Sequence, residues 1–166
     1  MVGASVARRG YHPPMKAIQY YYPEEYRQCF GCGTDNPHGH HVESRWDGDE
    51  VVAHFTPKPY HTAFPGVVYG GLLASIIDCH GIGSAAAFAH LAEGREVGKG
   101  PIARYVTGKL EVSFKAPTPM GVELELRARE IERSERKVVV AVTVSAGGEI
   151  TAEGRVVAIR MKGSST

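Results

Sequence analysis

The chain has 166 residues, enough for one domain with a core of its own and no need of disulfides or metals to hold it. Hydrophobic residues at 43% and charged residues at 22% are ordinary for a globular protein and exclude fibrous and low-complexity classes. A formal net charge of +1 argues against a broad nucleic-acid footprint and against strong attraction to an anionic membrane.

Residues 1–19 read as a flexible N-terminal arm; no signal peptide is expected, since Met1 to Pro14 holds no apolar run of the kind one needs. Residues 20–161 read as a single domain and 162–166 as a tail. Glu24 to Gln28 suits a short helix docked on the body. Cys29 to His41 is dense in Gly, Pro, Asn and His and reads as a loop. Three cysteines, Cys29, Cys32 and Cys79, are an odd number without framework spacing, so a reducing, cytoplasmic setting is expected. Cys29-x-x-Cys32 has an allowed zinc spacing, but no second Cys pair follows and the histidines nearby are not spaced as in a finger. The expectation is therefore no metal and no cofactor, with the cysteines packed as small hydrophobes.

Val42–Trp46 and Val51–Phe55 flank Asp47-Gly48-Asp49, a hairpin signal. Gly70 to about Leu91 changes period. It is rich in Leu, Ile and Ala and apolar on nearly every side, which predicts a buried helix. Asp78 and His80 near its middle speak against a membrane span. From Tyr105 the period is two. In 107–116, Leu110, Val112 and Phe114 alternate with Lys109, Glu111, Ser113 and Lys115; 122–129, 137–145 and 149–161 continue as strands. Gly147-Gly148 predicts a tight turn. Two strands, one buried helix and four strands pack most simply as a sheet wrapped around the helix, an α+β hotdog fold.

Asp78 is the only formally charged residue between Gly70 and Ala89. A carboxylate in such a helix needs a partner or a task. One reading is a structural hydrogen bond; the other is a general base or nucleophile in a cleft poor in water. Tyr69-Gly70-Gly71 opens the helix. Its first N–H groups lack internal partners and carry the positive end of the dipole, so they can hold a carbonyl oxygen or an oxyanion. A tight strand-to-helix turn would use the same glycines. Gly70 and Asp78 lie about 12 Å apart along one helix. Two helices side by side could instead pair Gly70 of one subunit with Asp78 of the other, in a two-fold dimer.

The segment Tyr69-Gly70-Gly71-Leu72-Leu73-Ala74-Ser75-Ile76-Ile77-Asp78 resembles the His-Gly-Gly…Asp segment of hotdog thioesterases of the phenylacetyl-CoA type. Thr107 to Pro119 is similar to the strand after the helix in that family. Cys29-Phe30-Gly31-Cys32-Gly33 with Asn36-Pro37-His38-Gly39 resembles the N-terminal signature of one branch. The resemblance implies acyl-CoA thioester hydrolysis, with Asp78 as the catalytic carboxylate and the Gly70 amide polarising the thioester carbonyl. It implies supporting places for Gly71 and Tyr69, an acyl-CoA partner, and a homodimer, with pairing of dimers into a tetramer left open. No nucleic-acid or membrane partner is implied. The family usually has His where this chain has Tyr69, whose hydroxyl does not titrate near pH 7. His80 is a weak supporting candidate because it lies about 200° round the helix from Asp78; His61, before the helix, is weaker still. The rival expectation is a hotdog protein that binds acyl-CoA without hydrolysing it. A hotdog dehydratase or hydratase ranks behind both.

Overall fold

The structure, a computed structural model, describes residues 16–96 and 98–163. In chain order it has β1 (Arg45–Asp47), β2 (Glu50–Phe55), β3 (Thr62–Phe64), β4 (Val67–Val68), α1 (Gly70–Ala92), β5 (Tyr105–Phe114), β6 (Leu124–Arg133), β7 (Lys137–Ala146) and β8 (Glu149–Arg160). One antiparallel sheet of six strands runs β1-β2-β6-β7-β8-β5, and β3 with β4 forms a separate small ribbon. Helix α1 packs on β5 to β8, which makes the α+β hotdog arrangement.

Local chemistry explains the turns. Asp47 pairs with Glu50, so Gly48 and Asp49 close a two-residue hairpin, with Gly48 at φ 68°. Ala146 pairs with Glu149 around Gly147 and Gly148, at φ 59° and 86°, the left-handed pair a tight hairpin demands. Beyond the end of α1, Gly94 at φ 74° turns the chain away, and its N–H donates to the Leu91 carbonyl.

The core lies between α1 and the inner face of the sheet. Leu73, Ile76 and Ile77 of the helix meet Leu124, Leu126, Val140, Val142 and Val156, all buried. Each such side chain contributes about 1.5–3 kcal/mol by leaving water. Helix and sheet approach closely at two glycines. A Cβ on Gly81 would lie 2.5 Å from Val156, and one on Gly154 would lie 2.3 Å from Ile77. By length and composition α1 could cross a membrane, but 72% of its most apolar window is buried inside the molecule, as in a core helix.

Three expectations need correction. The arm predicted over 1–19 reaches too far, because Ala17, Ile18 and Gln19 are buried and Ile18–Tyr21 forms a short 3-10 turn on the body; residues 1–15 lie outside the described residues. The first strand begins at Arg45 rather than Val42, because the Val42 N–H donates to the Gly31 carbonyl of the preceding loop. The 58–68 connection contains the β3–β4 ribbon. Of the tail, Lys162 and Gly163 form an exposed turn, and 164–166 lie outside the described residues.

Candidate functional site

Asp78 projects from the middle of α1 into a cleft of about 430 Å³. Tyr22, Tyr26, Cys29, Ile102 and Thr107 are among the residues that line it. The Thr107 hydroxyl donates to Asp78 Oδ1 at 2.6 Å. Desolvation raises the Asp78 pKa above its ordinary value, the Thr107 hydrogen bond pulls it down, and the negative charge of the Cys29 thiolate adds to the rise. The balance is a carboxylate with an elevated pKa, held by one donor and facing open space. Such a group is a stronger base than an ordinary surface carboxylate.

The sequence pattern does not single out Thr107, which falls in register with Lys109, Glu111 and Ser113 on a solvated face. A bulge overturns that register. Thr107 pairs with Ala158 and Lys109 with Val157, so Gly108 is an extra residue. The bulge puts Thr107 and Lys109 on opposite faces and turns the threonine towards the helix.

The other half of the expected site stands at the helix start. Tyr69 is the N-cap residue, with extended backbone (φ −63°, ψ 126°) and no side-chain cap. The amides of Gly70 and Gly71 have no hydrogen-bond partner among the described residues. Phe114 flanks Gly70, where a Cβ would lie 3.2 Å from its ring. The Tyr69 ring covers Gly71, where a Cβ would lie 2.4 Å from it. Tyr69, Phe64 and Phe114 are all exposed. Neither Gly70, Gly71 nor Tyr69 lines the Asp78 cleft, so one chain does not bring the two halves together.

His80 does not belong to the site, which corrects its place as a supporting residue. It is fully buried against β2. Its Nε2–H donates to the Val51 carbonyl at 3.1 Å, and Nδ1 accepts from the Ser44 hydroxyl at 2.9 Å. Gln19 completes the network: its amide donates to Ser44 Oγ at 3.0 Å, and its carbonyl accepts from the Ser44 N–H at 2.8 Å. Desolvation lowers the His80 pKa to about 4, so the ring is neutral. His61 lies outside the cleft, stacked on Phe55, with Nδ1 accepting from the Lys58 N–H.

The cysteines also differ from expectation. Cys32 is buried, but Cys29 is exposed rather than packed away, and Cys79 of α1 reaches the same place. The three sulfur atoms lie within 4.8 Å of one another, with Cys29 Sγ and Cys79 Sγ 3.8 Å apart. Hydrogen bonds from Cys32 and Cys79 lower the Cys29 pKa, while the same sharing raises Cys32 to about 12 and pushes Cys79 up as well. All three line the cleft beside Asp78.

The chain belongs to the Thioesterase superfamily, whose pattern it matches over residues 65–153, from before α1 into β8. A Thioesterase superfamily protein from Shewanella loihica PV-4 is 45% identical, with a TM-score of 0.62 over 77% of this chain and 97% of that one. Two more distant structures share the fold. A phenylacetic acid degradation-related protein from Ralstonia eutropha JMP134 is 21% identical, with a TM-score of 0.57 over 71% of this chain and 83% of that one. A hypothetical thioesterase protein from Streptococcus pneumoniae TIGR4, solved with coenzyme A, is 12% identical, with a TM-score of 0.60 over 75% of this chain and 91% of that one. No curated protein matches the chain.

Proposed function

We propose that the protein hydrolyses acyl-CoA thioesters in a homodimer whose active site draws Asp78 from one subunit and the Gly70 amide from the other. The observation that carries the reading is the Asp78 carboxylate, raised in pKa, held by Thr107 and open to a cleft. Membership in the Thioesterase superfamily supports the reaction class. The coenzyme A in the Streptococcus pneumoniae structure supports the substrate class.

In this mechanism the thioester carbonyl oxygen accepts a hydrogen bond from Gly70 N–H at the positive end of α1. The charge that develops on that oxygen strengthens the bond, which is what lowers the barrier. Asp78 either takes a proton from water as that water attacks the carbonyl carbon, or attacks the carbon itself to give a mixed anhydride that water then opens. Both routes break the C–S bond and release CoA as a thiolate. A thiol of pKa about 8.5 leaves without an acid beside it. The mechanism can therefore do without the histidine that Tyr69 replaces.

The test is release of free CoA from a panel of aryl and medium-chain acyl-CoAs. Wild type should turn over at least one of them, and Asp78→Asn should lose at least about a hundredfold in kcat. Equal turnover by the two proteins would remove Asp78 from the chemistry. Saturable CoA-ester binding with no release by wild type would favour the non-catalytic alternative, which the exposed Tyr69 at the histidine position motivates.

A further inference from the structure

The structure assigns Cys29, Cys32 and Cys79 to a three-thiolate site for a soft divalent cation, zinc by its ligand chemistry, in the wall of the Asp78 cleft. Sulfur, not carboxylate or imidazole, makes up the donor set, which selects zinc over magnesium or calcium. Two elements supply it: Cys29 and Cys32 from the loop before β1, and Cys79 from the middle of α1.

The geometry fits the ion. With Zn–S bonds of about 2.3 Å, two sulfurs of a tetrahedral site lie about 3.8 Å apart. Cys29 Sγ and Cys79 Sγ stand at that separation, 3.8 Å, and all three sulfurs lie within 4.8 Å of one another. The loop is a tight turn as well, closed by Gly33 N–H on the Cys29 carbonyl at 2.8 Å. Gly31 is required where it is, since a Cβ there would lie 2.1 Å from Cys79 Sγ. The sulfurs border the cleft, so solvent or an oxygen ligand from that side completes the tetrahedron.

On binding, the thiols still protonated give their protons to solvent and no electron moves. The ion then ties the N-terminal loop to the helix. Residues 27–44 contain no helix or strand; backbone hydrogen bonds such as Val42 N–H to the Gly31 carbonyl and His40 N–H to the Phe30 carbonyl hold the loop, and the ion would add a bond from it to α1 beside Asp78. The inference does not rest on thioester hydrolysis, and its readout is the metal itself.

The experiment takes the full chain, expressed with zinc in the medium and purified without chelator. Elemental analysis should find one zinc per chain, released by a mercurial. Cobalt(II) added to reduced, zinc-free protein should give thiolate-to-cobalt charge transfer and the ligand-field bands of a tetrahedral site, with charge-transfer intensity matching three thiolates. Cys79→Ser should weaken cobalt binding by more than the about tenfold that loss of an outer-shell partner costs. If that variant does not fold, the wild-type charge-transfer intensity decides between three sulfurs and two. Zinc-free wild type that shows no charge transfer with cobalt would overturn the assignment. So would binding unchanged by Cys79→Ser. A Cys29–Cys32 disulfide as the resting state of protein isolated without reductant, with no zinc bound, would replace the metal site with a redox pair.

Discussion

Asp78 depends on one neighbour. Thr107 supplies the one hydrogen bond recorded to its side chain among the described residues and opposes the cost of desolvation. Thr107→Val should leave the carboxylate less well positioned and higher in pKa, lowering kcat by about tenfold with KM little changed. Thr107→Ser, which restores the hydroxyl, should recover most of the loss. A valine variant with wild-type kcat would make Thr107 a packing residue only.

His80 shows the opposite use of a titratable group. Its folded pKa of about 4 lies below the ordinary 6.5, so the unfolded chain binds the proton first as pH falls. Its contribution to stability is complete above about pH 6.5 and is lost on acidification towards pH 4, at up to about 1.4 kcal/mol per pH unit. The checking measurement is an NMR titration in which one imidazole stays neutral down to about pH 5, alongside a urea midpoint that falls over that window. An imidazole titrating near pH 6.5 would show that the ring is not enclosed.

At the scale of elements, α1 and the sheet fit through Gly81 and Gly154, where each side accepts a branched side chain from the other. Gly154→Ala should therefore force a shift of Ile77 or of β8 and destabilise the fold by about 1–3 kcal/mol, read as a drop in Tm. An unchanged Tm would mean that the helix rides higher on the sheet than the close approach implies.

The same scale shows what pattern reading could reach. Helix α1 is legible because it is apolar on every side, β6 because Val122, Leu124 and Leu126 alternate with Glu123, Glu125 and Arg127, β7 because it is β-branched, and β8 because it follows the Gly147-Gly148 turn. The β3–β4 ribbon was not legible, since strands of three and two residues around Pro65 and Gly66 carry no measurable period. Asp78 and the Gly70 turn stood out because a charge and paired glycines are anomalies in an apolar helix. Thr107 stayed hidden because one bulge residue, Gly108, reversed its face. The Cys79 partnership stayed hidden because it joins positions 50 residues apart, a distance that no local spacing reports.

For the whole molecule, the key fact is that one chain keeps the two halves of the proposed site apart. The Asp78 cleft lies midway along α1, and the free amides lie at its start beside exposed Tyr69 and Phe114. Strand β5, ten residues long, is an edge of the six-stranded sheet, with its outer side unpaired among the described residues. An unpaired edge and exposed aromatics at the helix start are what a second copy would cover. Size-exclusion chromatography with light scattering should give a dimer or a multiple of it, and a monomer at micromolar concentration would leave the proposed site without its second half.

The most direct test of the central claim combines two inactive variants. Gly70 is the first residue of α1, and Tyr69 before it has the extended backbone that a following proline requires. Gly70→Pro therefore removes the proposed N–H donor and keeps the helix start, with the exposed Phe114 ring giving way by a few tenths of an ångström to the added Cβ. Asp78→Asn removes the carboxylate. Each protein alone should be inactive in CoA release. Co-expressed in equal amounts, they should form mixed dimers with one intact site each and recover about a quarter of wild-type activity. A mixture as inactive as its parents, beside an active wild type, would contradict a site shared between subunits.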